Sequence, residues 1–323
     1  MFPWFDPSQP LRVDDFMDAA LYDPTRGYYS KNIRDVGPHG DFSTSATLAP
    51  AFAKALADWS LRALSSSATR HLIELGPGHG ELTASLIRLI PWHKRPKFHL
   101  VERSEPLRQI QQSTIGRRRA RWHHSIDDAL AACHGRACII SNEFFDAFPA
   151  RRFRREAETW TEQWITPESP QWKTPESLPQ STLFDQPWPP SQIVEVHESV
   201  HCWLKQLAHH WTQGRMLTID YGATADRLYH RQPYGSLRAY FHHQRLTDPD
   251  CFARPGHQDL TCDVNFSDLI AWTKPFASLH SLINQNEFLT PHLNPNHPAD
   301  QFIADPLGAG HAFLCLDIEK NLA

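Results

Sequence analysis

His71-Leu72-Ile73-Glu74-Leu75-Gly76-Pro77-Gly78-His79-Gly80-Glu81-Leu82 is the stretch that decides the fold. Its first five residues are a short, mostly apolar run with polar flanks, which suits a strand buried in a parallel sheet. Gly76, Gly78 and Gly80 follow at alternate positions, where the missing Cβ lets the backbone turn sharply and approach a ligand. From Leu82 the apolar residues recur as Leu82, Leu86, Leu89 and Ile90, the spacing of a helical face. Strand, glycine turn and helix together make the first half of a nucleotide-type βαβ unit.

The glycine spacing selects among nucleotides. A dinucleotide fingerprint, G-x-G-x-x-G, needs a third glycine at position 81, where Glu81 stands. The pattern here is G-x-G-x-G, preceded by the acidic Glu74. That form suits S-adenosylmethionine, which has no pyrophosphate to seat on a helix N-terminus and whose positive sulfonium and amino groups tolerate acidic neighbours. The competing reading is a glycine turn without a ligand.

Moving outward, Lys97-Phe98-His99-Leu100-Val101-Glu102 reads as the second strand, with Glu102 at its carboxyl end. In this fold class an acid at that place accepts hydrogen bonds from ribose hydroxyls. Ser104 is placed to cap the next helix, which carries Leu107, Ile110 and Gln111. A weak third strand at 119–122 precedes Asp127 and Asp128, which either face the adenine edge or cap the helix around Leu130. Ala137-Cys138-Ile139-Ile140-Ser141 is a buried fourth strand that runs into Asn142-Glu143-Phe144-Phe145-Asp146-Ala147-Phe148-Pro149. Ligands of open α/β sheets sit beyond the carboxyl ends of the strands, so this loop points toward a reacting centre. Two carboxylates beside an amide, Glu143 and Asp146 with Asn142, can orient and deprotonate an amine or guanidinium. The alternative is a loop whose acids face water, which three phenylalanines holding the loop against the protein argue against.

Before the glycine loop, Phe16, Ala19, Ala20 and Leu21 mark a helix, and Tyr22, Tyr28 and Tyr29 surround a turn at Pro24 and Gly27. Gly40-Asp41-Phe42-Ser43-Thr44-Ser45 precedes another helix and offers N-cap oxygens or ligand donors. After the fourth strand, 151–155 and 159–164 suggest a hairpin leaving the sheet, and the seven prolines of residues 166–192 suggest an irregular excursion. An amphipathic helix at 195–211 and a fifth strand, Met216 to Gly222, follow. Segments 277–282 and 312–318 read as final edge strands.

The 323 residues are 41% hydrophobic and 21% charged, ordinary for a soluble globular protein. A net charge of -4 gives no argument for nucleic-acid binding, and the basic run Arg117-Arg118-Arg119-Ala120-Arg121 reads as a solvated face. The six cysteines form no C-x-x-C pair and fit a reducing compartment. Twenty histidines follow no metal-ligand spacing, so no metal site is expected. No signal peptide or membrane span is recognisable, and a cytoplasmic location is expected ahead of the mitochondrial matrix.

The ordered motifs resemble the MidA family, which includes mitochondrial complex I assembly methyltransferases. The matching elements are Gly27-Tyr28-Tyr29, Gly40 to Ser45, Glu74 to Gly80, Val101 to Arg108, Asn142 to Ala147, Ile219 to Gly222, Gly235 to His243 and Asp259 to Phe266. Departures are Ala46-Thr47 in place of Pro-Glu, and a C-terminal Gln285-Asn286-Glu287-Phe288-Leu289 lacking the family's glycine. The resemblance implies a Rossmann-like α/β fold with a doubly wound seven-stranded sheet, as in class I methyltransferases. An N-terminal helical cap over residues 1–60 and a methyltransferase domain over 61–323 follow, with excursions at about 150–195 and 223–264. It implies that Glu74, Gly76, Gly78, Gly80 and Glu102 hold S-adenosylmethionine, with Thr44 and Ser45 closing over it, and that Asn142, Glu143 and Asp146 border the methyl-acceptor site. The expected reaction is methylation of a protein side chain, arginine among them. An assembly factor that keeps the cofactor fold without turnover, and a small-molecule methyltransferase, are the rival readings.

Overall fold

The computed structural model describes residues 10–32, 50–166, 170–230, 232–241, 244–305 and 309–321. The chain divides into two compact units that alternate along the sequence. One unit takes residues up to 34, 145–202 and 223–271, and the other takes 35–144, 203–222 and 272–323.

The second unit is built on seven strands that pair in one continuous path of a larger sheet. Numbered within it in chain order, the strands are β1 (His71–Leu75), β2 (Lys97–Val101), β3 (Ala120–His123), β4 (Cys138–Asn142), β5 (Arg215–Ala223), β6 (Ala277–Asn284) and β7 (Phe313–Lys320). Their spatial order is β6-β7-β5-β4-β1-β2-β3. Strands β1 to β5 pair in parallel, and β7 runs antiparallel to both neighbours. The chain leaves β1 toward β2 and β3, then returns to place β4 on the other side of β1. That reversal is the topological switch point of an open α/β sheet, where ligands bind beyond the strand carboxyl ends.

The final strand departs from the sequence expectation of an edge position. β7 is inserted between β5 and β6, so of the last two strands it is β6 that lies at the edge. The reason is a buried charge. Asp317 on β7 is 4% exposed, accepts a 2.8 Å hydrogen bond from Trp59 Nε1 and is paired with the guanidinium of Arg215 on β5. A buried carboxylate requires such donors, and strand-by-strand contact with β5 supplies one.

Helix α1 (Pro50–Ser66) buries Phe52, Leu56, Trp59 and Ala63 in the core of this unit, together with Leu72, Leu100 and Ile140 from the sheet. Residue 60 therefore falls inside a continuous helix that belongs to the sheet unit. Residues 10–32 are grouped with the other unit.

That other unit contains helix Val13–Tyr22, a mainly antiparallel sheet ordered Leu11–Arg12, Trp160–Ile165, Arg151–Arg155, Ile193–Val196, and a three-stranded sheet of Gln244–Leu246, Arg238–Phe241 and Asp259–Thr261. The hairpin of 151–155 with 160–165 forms as expected. The proline-rich segment is less irregular than its composition suggests, because Gln171–Lys173 pairs with Trp160–Ile165 and Thr182–Asp185 makes a helical turn held by Asp268.

Adjacent Arg151 and Arg152 are both buried and find separate carboxylates. Arg151 forks onto Glu162 at 2.7 and 3.0 Å, and Arg152 meets Glu195 at 3.0 Å. Glu195 also accepts from Tyr229, from the Ser236 hydroxyl and from the Ser236 backbone N–H. Gly235 sits against this carboxylate at φ +80°, and a Cβ there would come 2.1 Å from Glu195 Oε1. Gly235→Ala is therefore expected to displace a buried, multiply bonded acid and to destabilise the protein by about 3 kcal/mol, readable as a lower urea midpoint. An unchanged midpoint would show that Glu195 shifts at no cost.

Candidate active site

The site in the sheet unit starts from the turn after β1. Gly76, Gly78 and Gly80 adopt φ of +56°, +52° and +84°, which keep this turn in the left-handed region. Among the described residues, a Cβ on Gly78 would meet nothing within 4 Å, which leaves room for a ligand to approach the backbone on this side of the turn. Gly76 N–H is tied to the Val101 carbonyl at 3.1 Å, which locks the turn to the end of β2.

Glu102 follows that strand. Its backbone N–H bonds the His123 carbonyl at 3.0 Å, one carboxylate oxygen accepts from Ser104 N–H at 2.8 Å and the other from Gln111 Nε2 at 3.2 Å. Burial raises its pKa, while the Ser104 and Gln111 donors pull it back. Gln111 does more than line the helix face on which the sequence put it. Its amide reaches the Gly78 carbonyl at 2.8 Å, and its oxygen accepts from Trp122 Nε1 at 3.0 Å. It thus links the glycine turn to the ribose-side acid. No spacing rule marks this residue in the sequence, because its three partners lie on three separate elements.

Glu74, inside β1, is buried and accepts a hydrogen bond from the Thr83 hydroxyl. Burial pushes its carboxyl up to about 7, with the Thr83 interactions opposing in part. A folded pKa above the unfolded value means that the folded state holds the extra proton between about pH 4.5 and 7. This stability is fully present below the lower value and is lost as the pH rises through the upper one. Glu74→Gln is expected to abolish a decline on the order of 3 kcal/mol across that window, measured as the difference between wild-type and variant denaturation curves. Parallel curves would assign Glu74 an ordinary carboxyl.

The helix after β3 is capped by Ser125, whose oxygen accepts from Asp128 N–H at 3.1 Å. Of the two roles open to Asp127, capping is thereby taken by Ser125. The Asp127 Oδ1 atom is buried without a hydrogen-bond partner among the described residues, and His210 Nε2 stands 3.9 Å from it. Thr44 and Ser45 lie outside the described residues.

Beyond β4, Glu143 takes φ +48°, a left-handed conformation uncommon for a residue with a side chain. Its N–H bonds the Ile219 carbonyl of β5 at 2.9 Å, and Asn142 Nδ2 donates to its Oε1 at 3.2 Å. Asp220, fully buried at the end of β5, accepts from Phe144 N–H at 3.2 Å and from Tyr221 N–H at 3.0 Å. The strained backbone is therefore held from both sides, and the Asn142–Glu143 pair is presented at the switch point. A residue kept in such a conformation marks a site where geometry matters more than local stability.

Asp146 belongs to the other unit and is anchored there. Thr261 Oγ1 donates to its carboxylate at 2.8 Å, and Cys262 N–H to its carbonyl at 3.1 Å. The tyrosine element of residues 22–29 supports the same loop. Tyr22 Oη donates to the Ala147 carbonyl at 2.9 Å, and Tyr29, stacked on Tyr22, donates to Asp259 at 2.8 Å.

A doubly wound sheet with a G-x-G-x-G cradle and an acid after the second strand defines a class I nucleotide-binding methyltransferase fold. A family model described as "Putative S-adenosyl-L-methionine-dependent methyltransferase" matches residues 55–284. The chain belongs to this family, the MidA-type S-adenosylmethionine-dependent methyltransferases. It is 30% identical over 299 residues to the zebrafish (Danio rerio) protein arginine methyltransferase NDUFAF7, covering 80% of this chain and 68% of that protein. The human counterpart is 26% identical over 321 residues, covering 87% and 69%. A crystal structure from Burkholderia thailandensis, bound to S-adenosyl-homocysteine, superposes with a TM-score of 0.84 at 24% identity, over 97% of this chain and 88% of that one. The cytoplasmic expectation is corrected by these relatives, which are named as mitochondrial proteins. Among the described residues, no helix is long and apolar enough to cross a membrane.

The residues present fit the cofactor of this family. Among the described residues the space beside Gly78 admits close approach, and the Glu102 carboxylate, which accepts from Ser104 and Gln111, is an acceptor suited to hydroxyls.

Proposed function

We propose that the chain methylates a protein side chain, with arginine as the acceptor, and that Glu143 is the group that orients and deprotonates it. The observation that carries this reading is the Asn142–Glu143 pair, held in a left-handed backbone at the carboxyl end of β4. The names of the relatives support a protein substrate of this kind.

When bound, S-adenosylmethionine supplies a methyl group activated by a positive sulfur. Gly76, Gly78 and Gly80 would hold it by backbone approach, Glu102 through its ribose, and Thr44, Ser45 and Asp127 as further contacts. A guanidinium stays charged near neutral pH, so its nitrogen becomes nucleophilic only when a carboxylate aligns it and takes a proton as the new bond forms. Glu143 fills that role, Asn142 fixes its oxygen, and Asp146 holds the loop that follows through Thr261 and Cys262. The remaining rate enhancement comes from in-line positioning of nucleophile and methyl.

The test uses isotopically labelled cofactor with a protein extract and with a metabolite extract. Label on protein, recovered as methylarginine after hydrolysis, supports the proposal. Label on a small molecule, or none at all from a protein that binds the cofactor, replaces it with a metabolite methyltransferase or an assembly factor.

A further inference from the structure

We propose that His71, His99 and Cys133 form a binding site for a zinc-class divalent cation in the sheet unit. The three residues lie far apart in sequence, yet the parallel register brings them together. His71 opens β1, His99 lies in the middle of β2, and Cys133 follows the helix Ile126–Ala132 packed on β2 and β3. Ile73 pairs with His99, so His71 and His99 are diagonal neighbours on one face of the sheet. His71 Nδ1 stands 3.0 Å from His99 Nε2, and Cys133 Sγ stands 3.5 Å from the same nitrogen. All three ligand atoms lie within 4.8 Å of one another.

These spacings match the chemistry of zinc. Tetrahedral coordination with nitrogen near 2.0 Å and sulfur near 2.3 Å places nitrogens about 3.3 Å apart and sulfur about 3.5 Å from nitrogen. The sulfur–nitrogen edge at 3.5 Å has this length, the nitrogen–nitrogen edge at 3.0 Å is within a few tenths of an ångström of it, and the third lies within 4.8 Å. The donor set of one thiolate and two imidazoles selects a borderline cation over magnesium or calcium. The partner of the central ligand is also in place. His99 Nδ1 lies 2.9 Å from His123 Nε2, the outward hydrogen bond that fixes the ring and tautomer of a metal-bound histidine. His123 in turn offers its carbonyl to Glu102 N–H, so the cluster ends at the turn that carries the ribose-side acid.

Three protein ligands leave a fourth position for water. Uptake of one cation ionises Cys133, whose proton passes to solvent, and both histidines bind as neutral rings. The bound ion would staple β1, β2 and the end of helix Ile126–Ala132 to one another.

Cobalt is the probe, because it reports both geometry and sulfur ligation. The full chain is stripped with chelator and titrated with Co2+, then with Zn2+ in competition with a chromogenic chelator. The expected result is one equivalent bound, with a thiolate-to-cobalt charge-transfer band, four-coordinate visible bands, and release of one proton. Cys133→Ser should lose the charge-transfer band and His71→Ala should weaken binding on the order of 100-fold, with far-ultraviolet dichroism unchanged in both. Zinc should also raise the wild-type melting temperature and leave that of Cys133→Ser unmoved. Absence of stoichiometric binding by the folded wild type overturns the site, and so does binding that survives both substitutions. In either case the cluster is a hydrogen-bonded histidine ladder.

Discussion

Glu143→Gln is expected to lower methyl transfer by about 10²- to 10⁴-fold, the range lost when a positioned base is removed. The substitution isolates charge from shape. Glutamine keeps the side-chain length and a carbonyl oxygen to accept from Asn142 Nδ2, and the backbone N–H still meets Ile219. The φ of +48° costs glutamine what it costs glutamate, so the melting temperature should not move. Cofactor affinity should also stay within about twofold, because the cradle lies on β1 and β2. The assignment is decided by turnover on the methylarginine-yielding substrate together with calorimetry of cofactor binding. Full turnover in the variant would remove Glu143 as the base. Loss of turnover together with cofactor binding would make it a structural residue of the cradle.

Gly78→Asp is expected to weaken S-adenosylmethionine binding by at least about 100-fold, near 2.7 kcal/mol, in a protein that remains folded. The fold is expected to tolerate the change because, among the described residues, a Cβ at this position meets no atom within 4 Å. Aspartate is also among the side chains that accept a left-handed φ, such as the +52° found here. The same open space is what the cofactor needs, and the new side chain would fill it. Calorimetry on wild type and variant reads the effect, with the urea midpoint as the control for folding. Retained affinity would place the cofactor away from the glycine turn and would withdraw the cradle. Weak binding by the wild type itself would bring the assembly-factor reading forward.

The two experiments separate two layers of the site. Gly78 acts through space and backbone, and its partners are neighbours in sequence. Glu143 acts through an orientation that depends on β5, since Ile219 and Asp220 hold the loop in which it sits. The strand, the turn, the helix and the acid after β2, from which the proposed cofactor half of the site is built, were legible because they follow local patterns. The proposed acceptor half was read as a loop of suitable chemistry. The ties that hold the residues of this loop, Glu143 N–H to the Ile219 carbonyl and Thr261 Oγ1 to the Asp146 carboxylate, were not legible, because each joins segments far apart in sequence.

The sequence by itself determined the short-range elements: a buried strand from apolar runs, a left-handed turn from alternating glycines, and a hairpin from paired aromatic segments. Each depends on contacts within a few residues, so composition and periodicity suffice to read them. Whatever depends on register between distant segments was set by the folded chain as a whole. It inserted β7 between β5 and β6, where Asp317 meets Arg215 and Trp59. It joined Gly78 to Glu102 through Gln111, and it drew His71, His99 and Cys133 from three elements to one point. Side chains on neighbouring strands meet by lateral pairing, and lateral pairing is fixed by how the whole sheet buries its faces, which no local spacing of histidines or acids encodes.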